Sequence, residues 1–291
     1  MPDVRGWIMF VVTGATGTVG REVVRLLLGA GREVAAVTRR PDPGLPDGAQ
    51  VITGDPSDPA GLAAWPEGGE AVLLSPRAVG GATDRLLSLA ADRGARRVVV
   101  LSSATVSHPA GHRRFVDAFK SVEDAVRRSG LSWTFLRCAD FAGNALAWAP
   151  QIRATGTVRG AYGGAATSPI HEHDIADAAV LALLDPRHAA HAPLLTGPHS
   201  LDQRDKVRLI GAATGRNLTF QETAPDQVRG AMLAQGLPED VPDRLLGSLA
   251  DHAHTPGPTT DTVARLLDRP ARTFATWATE NAAAFTPAAP A

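Results

Sequence analysis

The sequence is poor in the residues that most often carry chemistry. It has one cysteine, Cys138, one tyrosine, Tyr162, and two lysines among 29 cations, Lys120 and Lys206. A lone cysteine excludes an internal disulfide and a zinc site built from several thiolates. The formal charge is −1 over 291 residues, without the basic surplus of a nucleic-acid binder. No apolar stretch approaches the roughly 18 residues of a membrane span. The first apolar run, Trp7–Val12, is shorter than a secretory h-region of about 7–15 residues. The expectation is a cytoplasmic chain with no membrane and no nucleic-acid partner. Hydrophobic residues make up 44% and charged residues 20%, which is ordinary globular usage. At roughly 100–200 residues per domain, that means one large or two small domains.

What is present begins with a turn. Ile8–Val12 is continuously apolar, as in a strand buried on both faces. Thr13-Gly14-Ala15-Thr16-Gly17-Thr18-Val19-Gly20 follows, and Arg21–Ala30 then has helical apolar spacing. Glycines in this strand–turn–helix setting let main chain approach a pyrophosphate, whose charge meets the free N–H groups of the helix start. Gly14, Thr16, Gly17, Thr18, Val19 and Gly20 are therefore candidate cofactor-binding residues.

The next strand, Glu33–Thr38, carries no acid at its end for a ribose 2′-OH; Arg39-Arg40 follow instead. Two guanidiniums suit a 2′-phosphate, so NADPH is expected over NADH, the alternative being a solvated arginine pair. Asp55, after the short strand Gln50–Thr53, either meets the adenine amino group or forms an Asx turn before Pro56. Glu70–Ser75 and Arg97–Ser103 read as the fourth and fifth strands, with helical segments near Pro59–Trp65 and Thr83–Arg93. Strand and helix alternate, which predicts an α/β, Rossmann-like, doubly wound parallel sheet with ligands beyond the strands' carboxyl ends. Ser75, Ser102 and Cys138, at the ends of the fourth, fifth and sixth strands, are further candidates for lining the cofactor.

TGATGTVG at 13–20, Gly54-Asp55, LSSATVSH at 101–108, SGLSWTFLRCADFAGN at 129–144 and HEHDIADAAVLALL at 171–184 resemble the NmrA-like atypical short-chain dehydrogenase/reductases. LLTGP at 194–198 and DRPARTFATWATENAAAF at 268–285 extend the resemblance over nearly the whole chain. It implies a Rossmann core at 1–149 and a small, mostly helical substrate and lid region at 150–291, with 167–198 returning to the core sheet. The implied activities are reduction of quinones and ketones, isoflavone-type reduction, and non-catalytic redox sensing. Short helices are expected at Gln227–Gln235, Asp240–Ala253 and Thr259–Leu267, with a tail frayed beyond Phe285.

The family's resemblance also implies a Tyr-x-x-x-Lys pair on the helix after the fifth strand, here His112–Ser129. Family spacing puts Phe115 at the tyrosine and Phe119 at the lysine; a slip of one residue gives Val116 and Lys120. Neither register supplies a tyrosine. Ser103 matches the usual catalytic serine, either polarising a carbonyl or bonding the ribose. A substrate that brings its own acid fills the gap, since a peri phenol stabilises the alkoxide as it forms. Phe115 and Phe119 then become walls against flat rings. The broken triad and the motif set resemble in particular the angucyclinone ketoreductases of aromatic polyketide tailoring.

Other candidates are His108 and His112, as proton donors or plain loop residues. Phe141, Asn144 and Trp148 cover a planar substrate or pack in the core. His171-Glu172-His173-Asp174 offers His-x-His spacing without a further ligand set, so no metal is expected; a surface segment is favoured over a pocket wall, with Asp174 as the N-cap of Ile175–Leu184. The composite expectation is an NADPH-dependent reductase of a small-molecule aromatic or quinone-like ketone, a monomer or homodimer. The alternative is a redox-sensing regulator that binds NADP(H) and a protein partner without turnover. A third reading keeps the cofactor for structure and performs isomerisation or cyclisation.

Overall fold

The computed structural model describes residues 9–41, 44–62 and 64–287. Ile8, at the start of the expected first strand, lies outside the described residues, as does the tail at 288–291. The elements run β1 Met9–Thr13, α1 Thr18–Gly29, β2 Glu33–Thr38, β3 Gln50–Thr53, β4 Gly69–Leu74, α2 Pro76–Val79, α3 Thr83–Asp92, β5 Arg97–Ser103, α4 Arg113–Arg128 and β6 Ser132–Cys138. Then come α5 Ala149–Thr155, β7 Thr157–Gly160, α6 Glu172–Leu184, β8 Leu194–Leu195, α7 Gln203–Thr214 and β9 Thr219–Glu222. The last helices are α8 Pro225–Ala234, α9 Asp240–His254, α10 Thr262–Leu267, α11 Phe274–Glu280 and α12 Ala282–Phe285. The chain divides into two compact units with interleaved borders. The first takes Met1–Ser103, Ala118–Arg137 and Glu172–Pro193; the second takes Ala104–Asp117, Cys138–His171 and Leu194–Ala291. The return to the first unit is thus shorter than the expected 167–198, and residues 104–117 and 138–149 leave it.

The first unit is built on a parallel sheet in the order β3-β2-β1-β4-β5-β6. β1 registers Phe10 with Val34 on β2 and with Ala71 on β4. Strands β1, β2 and β4 are buried almost throughout, because helices cover both faces of a parallel sheet. β3 buries only Ile52, as an edge strand does. Main chain at His191 and Pro193 accepts from Phe135 and Arg137 N–H groups and lines the outer edge of β6. Val11, Val37, Val72, Leu74, Val100 and Phe135 pack with Leu86, Leu87 and Val126 into the core, each worth about 1.5–3 kcal/mol on full burial. On α1, Val19, Val23, Val24 and Leu27 form the buried stripe. α1 packs on α6, where Ala176, Ala178, Ala179 and Ala182 are buried and small enough for close helix approach.

Two local expectations change here. Among its described residues, Pro59–Trp65 holds a single 3₁₀ turn, Pro59–Gly61, and Trp65 plugs the core at 2% exposure. α1 starts at Thr18, three residues ahead of Arg21, because the glycine turn itself supplies the helix's first turn.

The second unit has its own core, with Ile152, Val158, Val207, Ile210, Phe274, Trp277 and Phe285. The Trp277 ring stacks on Phe274 at 5.2 Å and meets Phe285 edge-on at 6.1 Å. α12 is therefore a core element; Arg216 donates to the Phe285 carbonyl and Arg153 to that of Ala284. The fraying expected beyond Phe285 falls mostly on the tail outside the described residues; the Thr286 hydroxyl donates to the Ala282 carbonyl at 3.0 Å. This unit also contains a two-stranded parallel sheet, β7 with β9, registering Thr157 with Thr219 and Gly160 with Glu222. The expectation of a mostly helical region missed it. Helices α8, α9 and α10 fall near their expected places, α10 starting three residues late at Thr262.

Candidate functional site

The sheet order reverses between β1 and β4, and this switch point is where an open α/β sheet holds its ligand. Thr13, at the end of β1, stitches it. Its hydroxyl donates to the Leu73 carbonyl at 2.9 Å and accepts from the Ser75 N–H at 2.9 Å. Gly14 follows at φ +68°, where a Cβ would sit 2.9 Å from the Ser75 Cβ. Gly17 donates its N–H to the Gly14 carbonyl and caps α1 without any side-chain bond. A Cβ on Gly20 would lie 2.2 Å from the Gly14 carbonyl oxygen, so only glycine permits this closeness of helix and turn. Thr16 is half-buried, Gly17 and Thr18 are exposed, and Val19 points into the core. Bare main chain, an open helix start and no intruding side chain fit a pyrophosphate.

Arg39 and Arg40 are exposed just beyond β2, and the Arg40 N–H bonds the Thr38 hydroxyl. Asp55 forms the Asx turn, its Oδ1 accepting from the Ser57 N–H at 2.9 Å and the Ser57 hydroxyl at 2.7 Å. Those bonds, chiefly the hydroxyl, hold its carboxyl below the usual range, with a smaller pull from Arg39.

Ser102 has a different partner from the one expected. It is 4% exposed, and its hydroxyl donates to Glu123 on α4 at 2.8 Å. Glu123 also takes two bonds from Arg137, at 3.0 and 2.7 Å, and one from Arg127 at 2.9 Å. Burial pushes this carboxyl up, but the bonds from Arg137 and Ser102 and the nearby charges outweigh it, and the net direction is down. The cluster ties α4 to β5 and β6. Ser103, the next residue, is half-buried at the strand end.

Along α4, Phe115 and Phe119 are half-buried, Val116 is buried and Lys120 is exposed. The helix contains no tyrosine. The Arg244 guanidinium lies over the Phe115 ring at 4.9 Å. His108 is exposed with Nδ1 3.1 Å from the Ser107 hydroxyl, and His112 accepts from the Arg114 N–H. Burial pushes the Cys138 thiol up, which keeps it protonated and disfavours a nucleophilic thiolate.

Beyond β6, Phe141 and Trp148 are half-buried and Asn144 is exposed. Trp148 packs against the second unit's core. Asn144 Nδ2 donates to Asp140 at 2.7 Å, and Asp140 is paired with Lys206 at 2.9 Å. Sequence reasoning missed Thr13, Glu123, Asp140, Thr167 and Lys206. For Lys206 the signal was the scarcity of lysine. His171 is a correction: it is 3% exposed and bonds Glu280 at 3.0 Å, so it is not a surface residue. Asp174 is another. α6 begins at Glu172, which puts Asp174 inside the first turn and fully buried, not at the N-cap.

Among the described residues no helix is long and apolar enough to cross a membrane. The NAD(P)H-binding family matches residues 14–186. A (4-alkanoyl-5-oxo-2,5-dihydrofuran-3-yl)methyl phosphate reductase of Streptomyces griseus is 36% identical over 282 residues, 96% of this chain and 100% of that protein. An NAD(P)H azoreductase of Xenophilus azovorans is 32% identical over 284 residues, 95% of this chain and 99% of that protein. The fold is similar to that of the NADPH-dependent quinone oxidoreductase QOR2 of Escherichia coli complexed with NADPH, at a TM-score of 0.81 and 22% identity, over 94% of this chain and 99% of that one. With the glycine turn at the switch point and matches of this length, the chain belongs to the NAD(P)H-binding family, in its NmrA-like branch of atypical short-chain dehydrogenase/reductases.

Proposed function

We propose that this NAD(P)H-dependent oxidoreductase uses NADPH to reduce a conjugated carbonyl on an aromatic polyketide or quinone-like ring. The observation that carries the reading is the β1–α1 turn, where Gly14 and Gly20 leave no room for a side chain. When bound, the reduced nicotinamide supplies the hydride. The amides at the start of α1 bind the pyrophosphate charge, and Arg39 and Arg40 take the 2′-phosphate. In this reading Ser103, at the end of β5, polarises the carbonyl oxygen, and Cys138 contributes a small neutral surface. Phe115, with the Arg244 guanidinium over its ring, and Phe119 are the aromatic walls of this reading.

No tyrosine on α4 is available to protonate a developing alkoxide. General acid help is worth about 10²–10⁴-fold, so an acceptor that spreads its own negative charge keeps much of the rate. The relatives are named for a furanone phosphate, an azo compound and a quinone. All three are conjugated acceptors, which supports that chemistry.

The test is loss of NADPH absorbance with a panel of quinones and aromatic ketones, with and without a peri hydroxyl. Turnover on the conjugated, phenolic members is the expected result. Tight NADPH binding without turnover on any member overturns the reading in favour of a redox-sensing chain. Ser103→Ala is expected to cost less than about 10³-fold, or roughly 4 kcal/mol.

A further inference from the structure

Lys206 sits on α7 at 3% exposure and is one of two lysines in the sequence. Its Nζ donates to Asp140 Oδ2 at 2.9 Å and to the Thr167 hydroxyl at 2.7 Å. The Thr167 hydroxyl in turn donates a hydrogen bond to the same Asp140 oxygen at 2.8 Å. The other oxygen, Oδ1, accepts from Asn144 Nδ2. A compact ammonium with three donors suits this cluster better than a planar guanidinium. Burial pushes the Asp140 carboxyl up, but the Lys206 charge and the bonds from Lys206, Asn144 and Thr167 outweigh it, and it stays ionised.

An ionised carboxylate only accepts hydrogen bonds. The Asn144 amide must therefore turn its NH₂ toward Asp140 and its oxygen away. Among the described residues nothing donates to that oxygen, and Asn144 is exposed. Asp140 and Asn144 follow directly on Cys138, the last residue of β6, and ligands of such sheets lie beyond the strands' carboxyl ends.

We infer that Asn144 is an acceptor of fixed polarity that selects substrates carrying a ring hydroxyl away from the reacting carbonyl, and that Lys206 is the positioning residue that fixes it through Asp140. The inference rests on the proposed reduction of an aromatic carbonyl. A hydroxyl donates to the amide oxygen, whereas its methyl ether brings an acceptor against an acceptor and leaves both unpaired.

The probes are a naphthoquinone hydroxylated on its outer ring, away from both carbonyls, and its methyl ether. Binding is read by quenching of tryptophan fluorescence on the full chain with NADP⁺ present, and turnover by NADPH oxidation. The wild type is expected to bind the hydroxylated probe about tenfold more tightly. Asn144→Ala and Lys206→Met are expected to erase that preference. Asp140→Asn, which keeps the volume, puts an NH₂ opposite Asn144 and turns the amide over, so the preference moves toward the methyl ether.

No preference in the wild type overturns the inference. So does an equal loss for both probes in the variants, which marks a structural cluster. Weaker NADPH binding at an unchanged ratio also overturns it, by assigning the oxygen to the nicotinamide carboxamide. Preference in binding without turnover leaves the inference standing and removes the reductase reading. Turnover without preference does the reverse.

Discussion

Glu123 is a fully buried carboxylate held by Arg137, Arg127 and Ser102. Its folded pKa is depressed, so its contribution to stability is present above the ordinary value of 4.5 and is lost as pH falls through the lower folded value. Glu123→Gln should be less stable than the wild type at neutral pH, with a gap that closes in acid. Calorimetric scans from about pH 7 to about pH 3 read this directly; a gap that does not change with pH refutes it. The chemistry of this residue was invisible in the sequence. Glu123 stands in a helix rich in charge, and nothing local distinguishes it from Asp124, which is exposed and pairs with the same Arg127. The glycines were legible for the opposite reason. Their cause is local, in a turn bounded by a strand and a helix.

At the scale of elements, legibility tracked the strength of the local pattern. β2 and β5 appear within their expected bounds, because continuous apolar runs between turns have few other readings; the short β3, QVIT, also keeps its expected bounds. β7 and β9 escaped notice because they are four residues each, bury only Val158 between them, and pair across 62 positions of sequence. α12 was not foreseen as a helix because AAAF carries almost no apolar pattern, whereas Phe285 is fully buried against Trp277. Phe285→Ala should cost about 3–5 kcal/mol, measured by urea denaturation. A loss under about 1 kcal/mol would mean that the last helix contributes little to its unit.

At the scale of the whole molecule, a net charge of −1 gives no global field to draw in an anionic cofactor. Selection for a 2′-phosphate must then come from cations placed locally. Arg39→Ala combined with Arg40→Ala should weaken NADPH by roughly tenfold to a hundredfold and leave NADH nearly unchanged. Titration with both cofactors at two salt concentrations checks it, and equal weakening of both removes the assignment to the 2′-phosphate. The alternation of strands and helices that announces this architecture is a property of the whole chain. That is why it could be read where single buried pairs could not.

The interleaving of the two units has a consequence for heredity and engineering. The acceptor wall is written in separate passages of the gene: Asp140, Asn144 and Thr167 on Cys138–His171, and Lys206 in the passage that starts at Leu194. A recombination that exchanges only the first passage with a relative carries the carboxylate away from its cation, and stranding a buried charge in this way costs about 3–5 kcal/mol. Selectivity in this protein is therefore inherited in linked pieces, and a transplanted wall that leaves Lys206 behind arrives broken.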